Sequence, residues 1–198
     1  FATIAGVWAY KGSGYLDFRL IAYMGGAILV GSLLGGYGSG FLTETQINIV
    51  YAILATIAVV MMFLPKKEVP FKPGDKLRFN GPLAAALSFI TGAAAGIVGA
   101  AGAFILVPIM LVVLKIPTRV TIATSLAVTF ISSIGATVGK IATDQVLYWP
   151  AAIMIIASLI AAPTGVKLGQ RMNVKVLQWI LALLILATSL KIWRDLLI

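Results

Sequence analysis

Apolar residues run along this chain in long unbroken blocks, and polar residues collect in short intervals between them. The blocks show neither the two-residue alternation of a half-buried strand nor the 3.6-residue alternation of a helix with one wet face. Blocks of roughly twenty such residues predict helices that are apolar all round, as bilayer spans are. Residues 1–9 read as the end of one span, 20–42 as a Gly-rich span and 47–64 as another, with 120–139, 146–166 and 176–193 as three more. The intervals 10–19, 43–46, 115–119, 140–145 and 167–175 are their loops. Thr43, Glu44 and Thr45 are placed to cap the helix that follows, and Pro65 to close it.

The block 82–114 breaks this rhythm. As a single helix PLAAALSFITGAAAGIVGAAGAFILVPIMLVVL would reach about 50 Å, too long for one crossing and short for two. Gly92, Gly96, Gly99 and Gly102, followed by Pro108, weaken helical continuity where the length demands a break. A Gly-broken or re-entrant helix is predicted over 82–114. Ahead of it lies PKKEVPFKPGDKLRFNG, 65–81, which carries five basic and two acidic residues and reads as a linker between two halves.

Sliding the chain by 130 positions lays 1–64 on 131–194 with matching span and loop lengths, although only 8 of the 64 residues are identical. The predicted architecture is therefore an all-α, polytopic membrane protein with a two-fold internal repeat. Residues 1–64 are the C-terminal part of the first repeat, 65–81 the basic Pro-rich linker and 82–198 the second repeat. On this reading a counterpart of 82–130 belongs ahead of Phe1, and the chain is part of a longer one. Charge bears on topology. If 82–114 crosses once, the loop Lys and Arg residues divide 10 to 5 between the two sides; if it returns to its entry face, they divide 12 to 3. The second division follows the positive-inside tendency better and makes the two halves inverted.

Composition strengthens the membrane reading: 61% of the 198 residues are hydrophobic and 11% charged, against about half and a quarter in soluble domains. The net charge of +9 raises nucleic acid as a partner, but the Lys and Arg residues sit at the ends of apolar blocks, where snorkelling and topology put them. No nucleic-acid partner is expected. The chain has neither Cys nor His, which removes disulfides, thiolate and imidazole metal sites and His-based nucleophile activation. Asp17, Glu44, Glu68, Asp75, Asp144 and Asp195 all lie outside the deep parts of the blocks. Neither an enzyme nor a cofactor is expected, and the spans show no carboxylate to carry a proton.

One order of motifs is more specific. GIVGAAGAFILVP at 96–108 is followed by PTRVTIATSL at 117–126. This resembles the second half of the sulfite exporter TauE/SafE family of membrane transporters, in which a G-x-G-G-G stretch runs into V-P, then a short loop and an A-T-S element. Here Gly99-Ala100-Ala101-Gly102-Ala103 stands for the first element, with Val107-Pro108 intact and Ala123-Thr124-Ser125 for the last; two family glycines are Ala. The resemblance covers 82–198, and 1–64 match the end of the family's first half. It implies a permease or exporter of small anions, sulfite or organosulfonates, in the cell membrane, working by alternating access of two halves.

The candidate substrate-binding residues follow. Gly99, Gly102, Ala103 and Phe104 would offer backbone N–H groups to an oxyanion at a helix break. Thr124, Ser125, Ser132 and Ser133 would add hydroxyls, with 125, 129, 132 and 133 on one helical face. Each feature also has a plain reading. Gly25, Gly26, Gly31, Gly35, Gly36, Gly92 and Gly96 suit close helix packing, and Ser and Thr bond readily to their own helix. Lys115, Arg119 and Lys140 either draw anions to a cavity mouth or anchor the interface. Trp8, Trp149, Trp179 and Trp193 read as belt residues. The expected partners are the lipid bilayer, a small anion, and either further copies of the chain or subunits of a membrane complex. The alternative function is a non-transporting scaffold subunit of such a complex.

Overall fold

The structure is a computed structural model that describes residues 16–64, 77, 79–99, 103–171 and 174–197. Every regular element among them is helical. Helix α1 spans Phe18–Gly38 and tightens into a 3₁₀ turn, Ser39–Phe41; α2 spans Glu44–Phe63 and α3 Gly81–Val98. A short helix α4, Ala103–Pro108, widens into a π turn at Ile109–Val113, and α5 covers Thr118–Ile141, α6 Tyr148–Arg171 and α7 Val174–Leu197. Phe18–Phe41, Glu44–Met62, Gly81–Val98 and Thr118–Ile141 are each long and apolar enough to cross a membrane, and Trp149–Ala161 is a shorter apolar stretch. The protein is a multi-pass membrane protein. Large apolar side chains such as Val60, Ile90, Ile160 and Leu184 point outward, as they do where the surrounding solvent is lipid.

Local sequence sets the helix ends. Asp17 caps α1, its carboxylate accepting from the N–H groups of Arg19 at 2.9 Å and Leu20 at 3.1 Å. Thr43, not Glu44 or Thr45, caps α2, in a reciprocal box with Gln46. Asn80 caps α3, with Pro82 in its first turn. These polar residues satisfy N–H groups that would otherwise lack partners.

Three G-x-x-x-G pairs govern the packing: Gly31 and Gly35 on α1, Gly92 and Gly96 on α3, and Gly135 and Gly139 on α5. Small residues at this spacing let backbones touch, which replaces the hydrophobic driving force that lipid removes. A Cβ on Gly92 would lie 2.6 Å from the Ile28 carbonyl oxygen, and one on Gly96 would lie 2.6 Å from the Gly36 amide nitrogen. A Cβ on Gly139 would lie 2.6 Å from the Leu33 carbonyl oxygen, whereas Gly25 faces Ile131. The partner numbers rise together on both sides of α1. Helices α1, α3 and α5 are therefore parallel, with α1 in the middle.

This direction settles how 82–114 is built. Helices α3 and α5 both start at the end of the bundle marked by Asp17, the entry end, and both finish at the far end. The segment between them must return, and α4 with its π turn is the returning arm. The hairpin form is the one whose loops divide 12 to 3. Gly99 ends α3 in the left-handed conformation, φ +78°, which a residue without Cβ adopts freely. Pro108 does not end the returning arm. It lies fully buried in α4, and the helix widens just after it, with Leu114 N–H donating five residues back to the Ile109 carbonyl at 3.1 Å.

Helix α4 lies where two apolar clusters meet. Leu106 and Met110 join Leu20, Met24, Ile28, Val120 and Val128, while Ile105 joins Ala55, Ala58, Val59 and Ile185 of α2 and α7. Helix α6 starts 130 residues after α1, and α7 starts 130 residues after α2. Helix α6 starts just after Gln145, which is bonded to Ser39 at the far end, so it starts where α1 finishes.

Candidate functional site

Helix α5 carries the hydroxyls singled out from the sequence, and it is deeply buried between its neighbours. At about 100° per residue, Ser125, Thr129 and Ser132 fall on one side of it. Thr124, Val128, Ser132, Gly135 and Gly139 make the adjoining face, whose Gly135 and Gly139 meet α1. The structure divides the four predicted hydroxyls into two kinds. Ser125 donates to the Ile122 carbonyl at 3.1 Å and Ser133 to the Phe130 carbonyl at 2.7 Å, so both are bonded to their own helix. Thr124 and Ser132 are fully buried, and among the described residues neither hydroxyl has a partner.

Two further hydroxyls share that condition, Thr129 on α5 and Ser88 on α3. Sequence reasoning placed Thr129 on the hydroxyl face but passed over Ser88. A small polar residue one turn before the Gly92–Gly96 pair was the available signal. Depth can be read from the packing. Ser88 lies one turn before Gly92, which meets Ile28, and Ser132 follows Ile131, which meets Gly25. Both therefore sit near the level of residues 24–28, within the membrane-spanning part of α1. A buried hydroxyl without a hydrogen bond costs about 1–3 kcal/mol, and these four lie on α3 and α5.

The Gly-rich break sits elsewhere. Gly99 lies at the far end, and its N–H donates to the Ala95 carbonyl at 2.8 Å, which uses that donor to finish α3. Gly102 lies outside the described residues. Ala103 and Phe104 open α4, and the arm they begin runs back toward the level of the hydroxyls. The break and the α5 hydroxyls are thus joined by α4 rather than forming a single ring of contacts.

Among the basic residues, Lys115 and Arg119 are exposed at the entry end. Lys115 holds a positive φ of 53° at the turn into α5. Lys140 is half-buried at the far end, with its ammonium 3.1 Å from both Ser39 Oγ and Gln145 Oε1 and 3.5 Å from the Ile97 carbonyl. Ser39 and Ile97 lie far from Lys140 along the chain, so these contacts were not legible in the residues around it. Trp149 is exposed, whereas the Trp193 indole donates to Thr56 Oγ1 at 3.2 Å, with Ser189 Oγ also 3.2 Å from that oxygen, tying α7 to α2. Among the described residues no three His, Cys, Asp or Glu side chains come together as metal ligands would.

A Gly-broken hairpin, V-P on its returning arm and an A-T-S element opening a hydroxyl-rich parallel helix stand in the order the resemblance requires. The family model described as sulfite exporter TauE/SafE matches residues 1–192. The chain belongs to the TauE/SafE family. It is also 20% identical over 192 residues to the "Probable membrane transporter protein YunE" of Bacillus subtilis (strain 168), a match covering 87% of this chain and 70% of that one. No solved structure matches it significantly. Membership makes this a membrane transporter family protein, and the TauE/SafE motif elements map onto α3, α4 and α5.

Proposed function

We propose that this TauE/SafE protein moves small oxyanions, sulfite or organosulfonates, across the membrane, and that the substrate is held beside α5 by Thr124 and Ser132. The observation that carries this is the pair of fully buried hydroxyls without partners, extended by Ser88 and Thr129. A hydroxyl can donate to an oxyanion without bringing a charge into the bilayer, where a buried ion is costly. Backbone N–H groups of the Gly-rich break at Gly102, Ala103 and Phe104 complete the proposed path, and Ser125 and Ser133 flank it. The offsets of 130 residues and the start of α6 at the far end support two inverted halves that rock about this site.

The test is efflux of sulfite, and separately of a short alkanesulfonate, from loaded vesicles containing the protein. The Ser132→Ala and Thr124→Val variants should lose most of the flux, and Gly102→Leu should block it. Ser158→Ala on α6 serves as the control. Flux equal to wild type in Ser132→Ala, Thr124→Val and Gly102→Leu would remove the proposed site, and no flux of either anion from well-folded wild type would favour the scaffold function.

A further inference from the structure

Three parallel helices, α1, α3 and α5, finish together at the far end of the bundle. Each brings the negative end of its dipole and its last carbonyl groups to that end. The structure sets one cation among them. Lys140, in the last turn of α5, reaches across to the Ile97 carbonyl in the last turn of α3 and to Ser39 Oγ just beyond α1. Ser39 in turn donates to the Gly36 carbonyl at 2.7 Å. Gln145 closes the group, its amide oxygen accepting from Lys140 at 3.1 Å and its amide nitrogen donating to the Gly36 carbonyl at 3.4 Å. The alkyl chain of Lys140 lies over Gly99, where a Cβ would be 3.1 Å from Lys140 Cε.

An open anion site would leave donors free. Here the ammonium, the Ser39 hydroxyl and the Gln145 amide are all spent on acceptors within the group, Thr143 Oγ1 included, and among the described residues no carboxylate pairs with Lys140. We infer that Lys140 is a positioning residue, a latch that ties the end of α3, and with it the Gly99 break, to α1 and α5. The network is held by one cation and neutral oxygens, so it can be released without separating an ion pair. On the transport reading, release of Lys140 frees the end of α3 to move against α1 and α5. The latch itself is read without any substrate, so its test stands apart from the flux test.

The chain has no native Cys, so single reporters can be placed at the two ends of α3, Val98→Cys beside the latch and Leu83→Cys at the entry end. Each is labelled with a membrane-impermeant maleimide in the wild-type, Lys140→Met and Lys140→Arg backgrounds. Losing the charge-assisted bonds should speed labelling at position 98 by about tenfold, leave position 83 unchanged, and be reversed in Lys140→Arg. Should Lys140→Met fail to fold, Ser39→Ala keeps the cation and removes one acceptor, and it should give a smaller rise confined to position 98. Unchanged labelling at 98, or an equal rise at both positions, would overturn the latch.

Discussion

At the scale of single residues, the same residue type does different work in different places. Gly99 has a left-handed φ and lies under the Lys140 chain, so Gly99→Ala should destabilise the protein by about 1–2 kcal/mol, seen as a lower midpoint in thermal unfolding. The unpartnered hydroxyls predict the opposite. Ser132→Ala and Thr124→Val remove a desolvated group that no partner repays, and should leave stability unchanged or raise it by about 1 kcal/mol while flux falls. Stability and flux measured on one preparation check both halves of that expectation, and a shared fall would mark these hydroxyls as structural. The sequence named Thr124, Ser125, Ser132 and Ser133 alike. Their separation into bonded and unbonded pairs depends on the rotation of α5 against α1, which its own residues do not specify. Lys140 was legible only as a basic residue near a span end, since its acceptors come from 39, 97 and 145.

At the scale of elements, the G-x-x-x-G pairs make a sharper statement than helix length. Gly35 of α1 meets the Ala93 backbone and Gly139 of α5 meets that of Leu33 and Tyr37, whereas a Cβ on Gly26 would find nothing within 4 Å. Gly35→Leu and Gly139→Leu should each cost about 1–3 kcal/mol or prevent folding, and Gly26→Leu should be tolerated. Yield and monodispersity on gel filtration, compared among the three, read this directly. The spans predicted at 20–42, 47–64 and 120–139 were legible within a few residues, because a twenty-residue apolar block has few other uses, while the span end predicted at 1–9 lies outside the described residues. The hairpin at 82–114 was legible as a break, since four glycines and a proline interrupt a block too long for one crossing. That Gly99 makes the break, and that Pro108 lies buried within α4 just ahead of a π turn, depends on the packing of α4 between two apolar clusters.

At the scale of the whole molecule, direction matters most. Parallel α1, α3 and α5 place the starts of all three at one end and return 82–114 to its entry face, and α6 then sets out from the far end. Reporters at positions 46 and 170 should therefore label from opposite sides of the membrane, whereas labelling from one side would exclude an inverted arrangement. Loop charge had already pointed this way through the 12 to 3 division, an argument from lipid electrostatics and not from packing. The structure reaches the same topology through glycine contacts, which are independent of charge.

The residues alone determined that this chain lives in a bilayer, that it is all helical, and where its helices begin, because hydropathy, caps and breakers act locally along the chain. They also carried the TauE/SafE order of Gly-rich break, V-P and A-T-S. Only the tertiary structure decided that α1 lies between α3 and α5, which hydroxyls lack partners, and that Lys140 joins three helix ends. Those are outcomes of how helices rotate and approach one another, and in lipid that choice rests on the fit between small-residue surfaces of different helices.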